Sequence, residues 1–255
     1  YAATADEVRA FLDVAPRDRL PATLGGLVAR LEAIPTTQKT LLAGALAKSA
    51  ESHRAAGRVE QAKRDCDIAL SLDPGCAGAR LCRSHFLEPE PALAELDRAA
   101  GRGPFRRDVL VRRAQLALGA KDFRKARGDA ERVLDVRPAD ADARELLARA
   151  LLGLGEDVKA AVALGDAVRA DSTRLKAVAA VMLDHARTLE DKFPDRPGAA
   201  ASWLLLALAA AEKGTADPKA REPLTAVREA GTKARTDAER LTVLRTGIQA
   251  LRDKK

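Results

Sequence analysis

The chain has 255 residues, 47% of them hydrophobic, with 44 Lys+Arg against 37 Asp+Glu for a formal charge of +7. Its 55 Ala and 35 Leu, against 3 Ile and 7 aromatic residues, favour helices and leave little material for strands. That excludes β-sandwiches, barrels, Rossmann-type sheets and disorder by composition, and it argues against an aromatic platform for stacking bases.

At the start of the chain, Tyr1-Ala2-Ala3-Thr4-Ala5 contains Ala3-x-Ala5, a pattern found at signal-peptide cleavage sites. An Ala-rich first helix accounts for it better. Helices are expected over roughly 4–14 and 21–33, separated by Pro16 and Pro21, as a helical cap over 1–42.

From residue 43 the chain repeats. Pro74, Pro104 and Pro138 each close one helical segment and precede another. Pro104 and Pro138 are 34 residues apart, and a further 34 reaches Ser172; Pro74 to Pro104 is 30. Twelve residues before these junctions stand Ala62, Ala92, Ala126 and Ala160. Eight before stand Cys66, Leu96, Ala130 and Leu164, and five before stand Ala69, Ala99, Val133 and Ala167. Offsets of four and three put each trio on one helix face. In the full-length units a second small residue lies twelve earlier: Ala50, Ala114 and Ala148. Between the two small residues sits a glycine turn, Gly57-Arg58, Gly119-Ala120-Lys121-Asp122 or Gly153-Leu154-Gly155-Glu156, where glycine suits a left-handed helix cap. Each unit is helix, turn, helix, with small residues where the axes cross.

This pattern resembles the tetratricopeptide repeat family, with units at 43–76, 77–106, 107–140 and 141–174. The second is short, its turn placed at Glu88-Pro89-Glu90-Pro91, where the prolines force extended backbone. The aromatic residue common in the family is replaced by Leu46, Arg80, Leu110 and Arg144. The resemblance implies an all-α fold, a right-handed superhelical solenoid of antiparallel helix pairs. With the flanks it would hold about 14 helices.

Over 175–255, degenerate helices of the same kind are expected at roughly 173–192, 199–213, 218–230 and 236–252, with breaks at Pro194, Pro197, Gly214 to Pro218 and Gly231. Trp203, Leu206, Ala207 and Ala210 suit the first helix of another unit, and Ala220, Leu224 and Val227 its second. Leu241, Leu244, Ile248 and Leu251 form one face of a final capping helix. The longest apolar run, Gly198 to Ala211, has 14 residues, short of the roughly 18–20 needed to span a bilayer, so a soluble chain is expected.

Chemistry-bearing patterns are scarce. Gly101-x-Gly103 and Gly153-x-Gly155 lack the further residues of a phosphate loop. Cys82 and His85 share a helix face but are too few for a metal site. Asp140-Ala-Asp142 opens a helix, where Asp serves as a cap. Neither a catalytic set nor a cofactor or metal is expected. Cys66, Cys76 and Cys82 make no disulfide framework, and free thiols favour a reducing compartment such as the cytoplasm, with export left open by the Ala3-x-Ala5 start. The 31 Arg against 13 Lys fit genome base composition as well as phosphate recognition. The densest basic stretch, Arg102, Arg106, Arg107, Arg112 and Arg113, lacks the large one-sided patch of a nucleic-acid footprint.

In the resembled family the first helix of each pair lines a concave groove. Carried over, this names Lys48, Glu51 and Arg54; Leu81, Cys82 and His85; Asp108, Val111, Arg112 and Gln115; and Glu145, Arg149 and Leu152. The long cations suit carboxylates of a protein or peptide partner. The family's Lys/Asn clamp for a chaperone tail is not present as such, since the chain has no Asn. The expected function is a non-catalytic interaction scaffold, with self-association through an end helix also open. The alternatives are a nucleic-acid-binding helical repeat, or a targeting region of a larger enzyme.

Overall fold

A computed structural model describes residues 35–101 and 106–253. The helices expected over 4–14 and 21–33, and Ala3-x-Ala5, lie outside the described residues. Among those described there are twelve α-helices and no strand. The described residues divide into two compact units, the first ending at Leu116 and the second beginning at Ala117.

The first unit holds α1 (Thr36–Ala55), α2 (Val59–Leu72), α3 (Ala77–Arg83), α4 (Pro89–Ala100) and most of α5 (Arg107–Gly119). α1 packs on α2 and α3, and α3 packs on α2 and α4. The core between them is small-sided. Ala43, Ala47, Ala69, Cys76 and Ala79 form one cluster, and Ala77, Leu96, Ala99 and Val109 another. Small side chains let axes approach closely, so dispersion contacts replace bulk. A Cβ on Gly78 would stand 3.1 Å from that of Ala47, which shows how tightly α3 crosses α1.

The second unit holds α6 (Phe123–Val136), α7 (Ala141–Gly153), α8 (Asp157–Ala170), a 3-10 turn at Ser172–Arg174, α9 (Leu175–Lys192), α10 (Pro197–Gly214), α11 (Pro218–Lys233) and α12 (Asp237–Asp253). Asp122 and Asp140 cap α6 and α7 by accepting the N–H of Lys125 at 3.1 Å and of Ala143 at 3.0 Å. α6 packs on α7 and α7 on α8. Then the order in space departs from the order in sequence. α8 packs along α10 and barely meets α9, while α9 packs against α10 and α12. One continuous core of Leu164, Met182, Trp203, Leu204, Leu208, Leu244 and Ile248 joins these helices, and the Trp203 indole donates to the Met182 carbonyl at 3.1 Å.

The repeat register predicted from the sequence is the register of burial. All twelve residues at the three junction offsets are buried, from Ala62, Cys66 and Ala69 through Ala160, Leu164 and Ala167. Ala50, Ala114 and Ala148 are fully buried too. The arginines in the family's aromatic position have their own role. Arg80 donates through Nε and Nη2 to the Pro74 carbonyl at 3.1 and 2.5 Å, and through Nη1 to Glu95. Arg144 repeats this with the Pro138 carbonyl at 2.9 and 2.5 Å and with Asp166. Arg221, in α11, donates in the same way to the Thr215 carbonyl. A guanidinium with five donors can cap a loop carbonyl and hold an acid of another helix at once.

Four local expectations are corrected. α1 begins at Thr36, inside the span assigned to the cap, because Pro35 sets its start. Pro89 and Pro91 do not form the turn of the short unit; they lie in the first turn of α4, where a missing N–H costs nothing, and the chain reverses over Ser84–Glu88. Gly57 and Gly155 adopt positive φ of 72° and 76°, but in the third unit Lys121, not Gly119, takes the left-handed position at 58°. Gly231 does not break a helix: it is buried in α11, where the Leu244 side chain occupies the space a Cβ would need.

Candidate functional site

In the first unit, α1, α3 and α5 line a groove of about 630 Å³. Its floor is Gly44, Ala47, Ala77 and Gly78, where side chains are absent or minimal. Its walls carry Lys48, Glu51, Leu81, His85, Asp108, Val111, Arg112 and Gln115. Eight of the thirteen candidate residues thus meet in one place. Arg54 stands just outside this lining, tied to Glu51.

The acids of the groove are engaged. Glu51 accepts from Arg54 Nε at 2.8 Å and also from its Nη2. The Arg54 hydrogen bond holds the Glu51 carboxyl below its usual range against the opposing effect of burial, and the same bond raises Arg54. Asp108 pairs with Arg107 at 3.1 Å. The Asp73 carboxylate accepts the Gly75 N–H at 2.8 Å.

The cations are not. Among the described residues Lys48, Arg106 and Arg112 have no ion pair, and the Arg112 Nε is buried with no hydrogen-bond partner. Burial, then the Arg54 charge, lowers the pKa of Arg112. Burial, then Arg112 and Arg54, lowers that of His85. A guanidinium held in a partly desolvated position beside another cation stores an unmet demand for an anion.

Three other expectations change with the structure. Cys82 is buried against Cys66 and Ala50 instead of facing the groove. Leu152 packs on the core of the second unit. Glu145 and Arg149, on α7, pair with each other at 3.0 Å, and Arg174 approaches Glu145 at 3.8 Å and also pairs with Asp142. The basic stretch is likewise divided: Arg107 pairs with Asp108, Arg113 with Asp97 at 2.9 Å, and Arg112 enters the groove. Arg102 lies outside the described residues. Among the described residues no group of three His, Cys, Asp or Glu is placed to hold a metal ion, and no helix is long and apolar enough to cross a membrane.

Sequence reasoning missed Gly44, Asp73, Gly75, Gly78 and Arg106. Gly44 was within reach, since it stands one turn before Lys48 on the same face. Asp73 and Gly75 belong to the loop before α3, where helical periodicity carries no signal.

Residues 111–174 match the family model described as tetratricopeptide repeat. The match spans most of the third repeat and the whole of the fourth. No curated protein matches the chain.

Proposed function

We propose that this chain, a tetratricopeptide-repeat protein, is a non-catalytic scaffold that holds a segment of a protein partner in the groove of its first unit. The partner segment carries carboxylates. The observation that supports this is Arg112: a half-buried guanidinium in the groove wall, without an anion among the described residues, while every acid around it is already engaged. Lys48 and Arg106 extend the unpaired positive charge along the same walls. The floor of Gly44, Ala47 and Gly78 gives a backbone room to lie close to α1 and α3. Glu145 and Arg149 are assigned to partner binding as well, through exchange of their mutual ion pair for contacts to a partner.

The test is capture from native lysate by the intact chain and by Arg112→Glu combined with Arg149→Glu, with the captured protein then measured by calorimetry. Charge reversal should weaken binding by roughly tenfold or more, and salt should weaken it too, while helicity stays unchanged. Equal affinity of the reversed and native chains for the same captured protein defeats groove binding. Retention of the native chain on RNA or DNA at low salt, with a steep loss on adding salt, would favour nucleic acid instead.

A further inference from the structure

The short second repeat shapes another surface. α3 has only 7 residues, and the chain reverses over Ser84–Glu88 before α4. The result is an open cavity of about 590 Å³ between α2, α4 and this turn. Residues of α2 and α4, the turn and Arg83 at the end of α3 line it, and it shares no residue with the groove.

One wall of the cavity is apolar: Phe86, Leu87, Pro91 and Ala94. The other is built on Glu95, which is 4% exposed. Its carboxylate accepts from Arg80 at 2.5 Å, Arg83 at 2.8 Å and Arg98 at 2.9 Å. One carboxylate offers about four acceptor positions, and three guanidiniums bring about fifteen N–H donors. Much of that capacity is unmet. The Arg83 Nε is buried with no partner among the described residues. Arg98, whose side chain is 64% exposed, makes the single bond to Glu95. Asp67 reaches Arg83 only at 3.6 Å. The charged residues lining the cavity are Lys63, Arg83 and Arg98 against Asp67 and Glu95, an excess of one positive charge beside apolar surface.

We propose that this cavity is a second binding site, for the C-terminal residue of a partner chain that ends in a large aliphatic side chain. The side chain covers Phe86, Leu87 and Pro91. The terminal carboxylate takes the spare N–H groups of Arg83 and Arg98, a planar two-pronged arrangement that guanidinium favours. A single residue brings both halves together, which matches a cavity with one apolar wall and one cationic wall. A phosphate or a nucleotide would satisfy the cations but leave the apolar wall wet. This site is independent of the groove.

N-acetyl-leucine titrated into the isotopically labelled full chain tests it by amide chemical-shift mapping. Shifts are expected around residues 83–98, with binding weakened about tenfold by Arg98→Glu and by Leu87→Asp, two exposed positions whose change leaves the helices in place. N-acetyl-leucinamide, which lacks the carboxylate, should shift those residues far less. The proposal is overturned if the amide binds as well as the acid, if the shifts gather at Lys48 and Arg112, or if none appears at tens of millimolar. Tighter binding of N-acetyl-Asp-Leu-amide than of N-acetyl-leucine would overturn the assignment to a chain terminus.

Discussion

Gly214, the last residue of α10, stands backbone to backbone against Gly165 of α8: a Cβ on Gly214 would sit on the Gly165 carbonyl oxygen. A Cβ on Gly165 would in turn meet the Ala210 carbonyl. Backbone cannot step aside as a flexible side chain can, so this crossing is set by two hydrogens. Gly165→Ala should therefore destabilise the chain by roughly 1–3 kcal/mol in urea unfolding. Gly44→Ala is the contrast, since nothing lies within 4 Å of its Cβ, and it should stabilise α1 by roughly 0.5–1 kcal/mol. A Gly165→Ala chain as stable as the native one would mean that α8 and α10 are not so closely joined.

Ala62 and Ala126 are both fully buried at the same repeat offset. Ala62→Phe and Ala126→Phe should each cost roughly 1–3 kcal/mol or more, because a ring has no void to enter and must part the helices. The check is the thermal transition, which should move down and broaden. Cooperative melting unchanged by either substitution would contradict the repeat register.

Periodicity carried the register because burial in stacked helices follows spacing, and spacing survives without knowing any partner. Hence the alanine offsets and the flanking helices after residue 174 were legible within a few residues. Gly165 and Gly214 were not, since a glycine at a crossing and a glycine at a helix end look alike in sequence. Arg80 and Arg144 looked like departures from a pattern; their carbonyl partners lie six residues back, beyond any single helix face. In the groove, Lys48 and Arg112 followed from the helical face, but Cys82 did not. The seven-residue α3 ends at Arg83, so His85 reaches the groove from the turn that follows and not from a face shared with Cys82, whose thiol is drawn toward Cys66.

Stability should fall in acid through Glu95. Burial tends to raise its carboxyl, and the hydrogen bonds from Arg83 and Arg80 outweigh that, holding it below the usual carboxylate range. A carboxyl depressed in the folded state contributes stability that is present above its unfolded pKa and lost as pH falls through the folded value. The loss should therefore set in below about pH 4.5. Glu95→Gln should be less stable at neutral pH and show a shallower decline over that acid range. An unchanged decline in urea midpoints would place the acid sensitivity elsewhere.

Cys66, Cys76 and Cys82 are free and buried. The Cys66 thiol is pushed up by its hydrogen bond with Cys82 and by burial, away from the thiolate that reacts. Labelling by an aromatic disulfide at pH 8 should be slower than for an exposed cysteine by about two orders of magnitude or more, with all three thiols reacting in denaturant. Rapid labelling of the native chain would show that α2 and α3 open readily.

The detour of α8 past α9 has a consequence for synthesis. A ribosome delivers α9 while the partner that covers α8 is still more than twenty residues from completion. The apolar side of α8 must wait, and α9, seated on one side by α10, lacks its second wall until α12 follows. Helix pairs stacked in sequence order can be trimmed one by one from an end, each loss weakening the array by a similar step. Here removal of the last helix withdraws a wall from both α9 and α10, so the array from α8 onward should stand or fall as one block.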